Sequence, residues 1–304
     1  MSKGLKAYTY ETLEKDICEM RGEFCGLETG VIGSSVLGRD IYYIRIGNGR
    51  NVISYNGAHH GMEWITSALL MKFAYDFLKA EKKNGAFGGF NVPFLSKNTS
   101  LYIIPMVNPD GVELSAKGLG EETDVQTRRN LIEMNGSDDF RKWQANANGV
   151  DLNHNYNALW ERSKEMEKEY GIFGPGPTRF SGEGAESEPE SRALAEFTRD
   201  KKFKMVLAFH SQGKVIYHGF LGKEPPYSQS IASAFARVSP YILDETEGIA
   251  SYAGYKDWFV NEFNRPGYTI EVGEGENPLP VSQFPKIYKE TLPILLGAMT
   301  VMLP

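Results

Sequence analysis

The sequence predicts an α/β sandwich with a mixed sheet, and three observations carry that expectation. Strands of buried type, rich in Val and Ile, alternate with amphipathic helical segments, an order that requires both faces of a sheet to be covered. Several apolar runs end in polar turn residues, as strands of an open sheet do where they deliver side chains to one edge. No repeat, low-complexity tract or Pro/Gly/Ser-rich linker divides the chain, so residues 1–304 are expected to form one domain, with residues 1–30 a helical N-terminal segment packed on it.

Thr9 is placed to cap a helix in which Leu13, Ile17 and Met20 share a face, with Gly22 or Gly26 ending it. Cys18 and Cys25 build no disulfide framework and read as small, reduced core residues. The stretch GVIGSSVLGRDIYYIRIGNG reads as two hairpin strands joined around Gly38, Arg39 and Asp40. NVISYNGAHH is a buried strand running into a turn, after which Glu63 to Lys79 places Ile65, Leu69, Leu70, Phe73 and Phe77 at helical period. SLYIIPMV is a further buried strand, stopped by the turn signal of Asn108, Pro109, Asp110 and Gly111. MVLAFHSQG and GYTIEVGEG repeat that plan, and helices are expected at Glu188 to Asp200, Tyr227 to Val238 and Ser282 to Met302.

With 41% hydrophobic and 24% charged residues, the chain has the makeup of a folded globular protein. A formal charge of −6 without a long basic run excludes a nucleic-acid surface. The longest apolar stretch, Ile294 to Leu303, is too short to span a bilayer, so no membrane insertion is expected. The opening MSKGLKAYTYETLEKDI has neither the apolar core nor the cleavage site of an export signal. That points to a cytoplasmic protein, or to a secreted or spore protein trimmed of its leader. The residues specify no oligomeric state.

Three strand ends present metal-type or acid-type residues: His60 and Glu63 after the first, His210 after the third, Glu271 in the last. The H-x-x-E spacing puts an imidazole and a carboxylate on one side of a single turn, near enough to share an ion. A catalytic zinc takes about three protein ligands and keeps a position for water, which makes His210 the natural third. Alone, the tetrapeptide is a weak signal that arises often by chance.

Six ordered segments add to it: GAHHGMEWI, VNPDGVELS, FRKWQANANGVDLNHNY, AFHSQG, AGYKDWF and YTIEVGEG. Together they resemble the zinc metallocarboxypeptidases, the family of carboxypeptidase A, over nearly the whole chain. The resemblance implies a sandwich on a mixed sheet of about eight strands with helices on both faces. It also implies a single Zn2+ per chain, held by His60, Glu63 and His210. Glu271 then matches the catalytic glutamate, whose carboxylate takes a proton from water and returns it to the leaving amine. Arg141, in FRKW, matches the arginine that polarises the scissile carbonyl. Asp151 matches the aspartate that accepts a hydrogen bond from His60 and fixes its tautomer.

Carboxypeptidases of this family carry Asn-Arg where Asn153 and His154 stand here, and that arginine clamps the free terminal carboxylate of the substrate. A largely neutral histidine offers one donor and one acceptor in place of a fork, which argues against C-terminal trimming. The same replacement, with HSQG and IEVGEGENPLP, is similar to the branch that cleaves γ-D-glutamyl bonds to diamino acids in peptidoglycan peptides, the γ-D-glutamyl-L-diamino acid endopeptidases and murein peptide amidases. The substrate so implied is a peptidoglycan-derived peptide carrying meso-diaminopimelate. Lys256, in YKDWF, stands where the family sets the base of its specificity pocket, and a lysine there favours a carboxylate-bearing side chain unless it snorkels to solvent. Asn153, His154, Lys256 and Gln212 are the candidate substrate contacts.

Tyr252 and Tyr255 do not align with the family's mobile tyrosine and stay unassigned, while His59 and His218 read as packing residues. The competing readings are a carboxypeptidase or small-molecule deacylase with the same zinc site, and a metal-holding binding module without turnover. The joint presence of Glu271 and Arg141 argues against the last.

Overall fold

The computed structural model of the protein describes residues 7–121 and 123–302. The first six residues of the expected N-terminal segment, and Leu303 at the end of the apolar C-terminal stretch, lie outside the described residues. Helix α1 (Tyr10–Glu23) starts as its cap dictates: Thr9 accepts from the backbone N–H of Thr12, and Leu13, Ile17 and Met20 are buried. Cys18 and Cys25 are free and exposed, which corrects their reading as core residues. The helix buries the stripe through Leu13, Ile17 and Met20, and Cys18 lies off it.

The hairpin β1 (Glu28–Ser34) and β2 (Asp40–Ile46) forms as expected, antiparallel. The buried strand β3 (Asn51–Gly57) leads into α2 (Ile65–Lys82). A two-residue hairpin, β4 (Ala86–Phe87) and β5 (Phe90–Asn91), and α3 (Val92–Asn98) then return the chain to β6 (Thr99–Ile104). The stretch read as a turn after β6 is a helix start. Asn108 accepts from the Gly111 N–H and Pro109 fills the first turn, where its missing donor costs nothing, so α4 (Pro109–Lys117) begins there. Next come α5 (Val125–Asn135), α6 (Trp160–Glu169) and α7 (Pro189–Lys201), followed by β7 (Met205–His210) and β8 (Val215–His218). The chain closes with α8 (Ser228–Val238), β9 (Ile242–Asp244), α9 (Tyr255–Phe263), β10 (Gly267–Glu271) and α10 (Phe284–Ala298). The last helix stops short of the expected Met302.

Eight strands join one mixed sheet in the order β1-β2-β6-β3-β7-β10-β8-β9. Side chains alternate across it with the strand period. Tyr55, Leu207, Phe209 and Ile270 pack with Leu69, Phe73 and Leu295 on one face. Val206 and Ala208 pack with Leu194, Trp258 and Phe259 on the other. Helices therefore cover both faces. Among the described residues, no helix is long and apolar enough to cross a membrane.

The central strands β6, β3, β7 and β10 are parallel. Their C-terminal ends consequently lie along one edge of the sheet. Strand order also reverses beside β3, which has β6 on one side and β7 on the other, and a crevice opens at such a switch point.

Candidate metal centre

The chain leaves β3 through Ala58, in the left-handed region at φ 50°, and enters a short 3-10 turn at Gly61–Glu63. Thr66 locks that turn, its hydroxyl donating to the Glu63 carbonyl and accepting from the Ala58 N–H. Gly61 must be glycine, since a Cβ there would sit 2.3 Å from the Gly111 carbonyl oxygen. Asn108 binds the surrounding loops together, donating to the backbone oxygens of His59, Gln144 and Ala145.

The three residues expected to act together meet here: one ligand atom each from His60, Glu63 and His210 lies within 4.8 Å of the others. Glu63 divides its carboxylate, one oxygen 2.9 Å from His60 Nδ1 and the other 3.1 Å from His210 Nδ1. Ser211 N–H also donates to it. The two imidazoles turn Nδ1 toward each other at 3.4 Å, a contact between two basic nitrogens that a shared cation resolves. Two imidazoles and one carboxylate form a donor set that suits zinc with a position left for water. The residues fit the ion.

His60 Nε2 faces Asp151 Oδ1 at 3.1 Å, as expected of its orienting partner. A proton on that nitrogen leaves Nδ1 free as a ligand. His210 has no such partner among the described residues, its Nε2 being buried and unpaired there, and it is held instead by β7 and by stacking on His59 at 5.5 Å. Burial pulls the His60 pKa down, but the charges of Glu63 and Asp151 outweigh it and hold it well above the usual histidine range. Asp151, although buried, is held below the usual carboxylate range by His60 and then His154. Asp151→Asn is therefore expected to cost about 10–100-fold in zinc affinity, read by competition with a chromogenic chelator. Equal affinities in the variant and the native chain would refute the orienting role.

Glu271 lies beside His210 in register on adjacent parallel strands and is partly open to the cavity. Burial, and then the nearby charge of Glu63, push its carboxyl well above the usual range. A cavity of about 580 Å3 opens in front of these groups, lined also by Asn153, His154, Lys256 and Asp257. Asn153 is largely structural: its side-chain oxygen accepts from the Tyr255 N–H at the start of α9. His154 is buried with Nδ1 unpaired, and burial lowers its pKa. Lys256 does not snorkel to solvent. It is 4% exposed, donates to the Gly219 carbonyl at 2.7 Å and pairs with Asp257.

Two expected residues are not brought in. Arg141 has 78% of its side chain exposed and is held by Asp139, outside the cavity lining. The structure does not bring it to the cavity; its guanidinium bonds instead to Asp139, two residues away. Gln212 is exposed and also lies outside the lining. The lining includes instead Gln144, three residues past Arg141, and Arg179 from the loop before α7. Neither stands out in the sequence, because loop residues carry no periodic signal. Asp139 two positions before Arg141 was the available warning.

A family model described as zinc carboxypeptidase matches residues 19–294 of the chain. The chain is 41% identical over 297 residues to gamma-D-glutamyl-L-diamino acid endopeptidase 1 of Lysinibacillus sphaericus, covering 97% of this chain and 73% of that protein. Carboxypeptidase A from Helicoverpa armigera superposes with a TM-score of 0.71 at 19% identity, over 96% of this chain and 73% of that one. Murein-tripeptide amidase MpaA from Escherichia coli O157 gives 0.54 at 19% identity, over 92% and 95%. At such identities the two structures establish the fold, and it is the fold the sequence predicts.

Proposed function

The chain belongs to the zinc carboxypeptidase family, and from that premise we propose that it hydrolyses the γ-D-glutamyl bond to the L-centre of meso-diaminopimelate in peptidoglycan-derived peptides. The observation that carries this reading is the cavity beside Glu271, in which His154 stands where carboxypeptidases hold the arginine for a free terminal carboxylate. The 41% identity to an endopeptidase of that specificity supports it.

His60, Glu63 and His210 would hold one ion per chain. When bound, zinc supplies Lewis acidity to a water and to a scissile carbonyl. The Glu271 carboxylate, with its raised proton affinity, takes the proton of the attacking water and returns it to the departing nitrogen. Asp151 keeps the Nε2 proton of His60 in place throughout. Asp244, Glu245 and Glu247 line the cavity and suit a substrate bearing an ammonium group.

The buried Lys256–Asp257 pair presents both charges side by side, which matches a side chain that itself ends in an ammonium and a carboxylate, as diaminopimelate does. Lys256→Met is expected to lower the preference for diaminopimelate over lysine peptides by about tenfold, and to cost about 3 kcal/mol of stability by stranding Asp257. The ratio of kcat/KM on the two peptides, with a denaturant titration, checks both. An unaltered ratio would remove the pair from recognition.

The reading as a whole is tested with L-Ala-γ-D-Glu-meso-diaminopimelate and an ordinary N-blocked dipeptide, followed by mass spectrometry. Release of free diaminopimelate from the first, with the second left intact, is expected. Trimming of the blocked dipeptide in preference would favour a carboxypeptidase.

A further inference from the structure

Arg179 contributes the one guanidinium among the described residues that line the cavity. Its backbone sits in the left-handed region at φ 65°, a conformation that costs a non-glycine residue about 1 kcal/mol or more. That conformation is held from within the site, because the Arg179 N–H donates to Asp151 Oδ2 at 3.0 Å while the other oxygen of Asp151 faces His60. The side chain lies 5.7 Å from the Tyr170 ring centroid, and no hydrogen bond or ion pair of its guanidinium is formed among the described residues. An unpaired guanidinium next to acidic lining, fixed through the residue that orients His60, is positioned for a substrate anion close to the scissile bond.

Resting on the function proposed above, we infer that Arg179 binds the free α-carboxylate of the D-glutamyl residue through paired N–H···O bonds. This carboxylate remains free because the peptide link runs through the γ-carbonyl, and an ordinary α-linked peptide has no anion at that place. Arg179 thereby selects γ-linked acidic substrates, a task that the neutral His154 and the Asp257-paired Lys256 do not perform.

The test compares L-Ala-γ-D-Glu-meso-diaminopimelate with the same peptide amidated at the D-glutamyl α-carboxylate, in the native enzyme, R179K and R179G. The glycine variant keeps the backbone N–H to Asp151 and relieves the left-handed strain, so it is expected to fold and to retain zinc, which its melting temperature and metal content check. The native enzyme is expected to prefer the free acid by about 30-fold in kcat/KM, mostly through KM, which corresponds to a charge-assisted pair of about 2 kcal/mol. R179G should abolish the preference, and R179K should keep part of it. A preference that persists in R179G, or that instead follows amidation of the diamino acid, would overturn the assignment. Native enzyme that cleaves neither peptide but trims ordinary C-termini would overturn the functional reading, and this inference with it.

Discussion

Glu271→Gln is expected to lower kcat by about 10^3–10^4-fold on the γ-D-glutamyl tripeptide, with zinc content and KM little changed. The amide has the shape of the carboxyl group and cannot take a proton from water. The other buried carboxylates of the lining are engaged: Asp151 is committed to His60 and to the Arg179 N–H, and Asp257 is paired with Lys256. Burial, and then the nearby charge of Glu63, also raise the proton affinity of Glu271. Single-turnover rates measured on variant of known metal content check this. A loss smaller than tenfold would assign the proton transfer elsewhere.

The second large effect is on the ion. His210→Ala should reduce zinc affinity by about 10^2–10^3-fold, since about 10–16 kcal/mol spread over about four ligands gives about 2.5–4 kcal/mol each. Activity should fall with it. Glu63 would keep the Ser211 N–H and His60, leaving its second oxygen without the imidazole that now faces it. Loss of a ligand that binds only the folded chain also removes about 4 kcal/mol of stabilisation at a thousandfold excess over Kd. The native protein treated with a chelator should therefore melt at the temperature of the variant. A variant with native zinc content, or a native melting temperature insensitive to chelator, would refute the assignment of the centre.

The fold and the centre of the site were legible in the sequence for one physical reason. Buried strands announce themselves by apolar runs, and in a parallel sheet their ends share an edge, so His60, His210 and Glu271 could be gathered without coordinates. The periphery was less readable. Arg141 looks like part of a motif, but the structure leaves it exposed and paired with Asp139. Gln144 and Arg179 stand in irregular loops fixed by backbone contacts to Pro177 and Asp151, and such contacts leave no spacing rule behind. The turn signal at Asn108 was right about a change of direction and silent about the helix that it caps. The exposed cysteines show that composition alone does not assign a face of a helix.

Asp151 serves two masters, since one of its oxygens steadies a metal-facing imidazole while the other secures the loop at the cavity mouth. Sharing of this kind ties two equilibria together. Whatever strengthens the hold on the Arg179 loop through Asp151 should also strengthen equilibrium binding of the ion, and by thermodynamic reciprocity a bound ion should favour that loop conformation to the same degree.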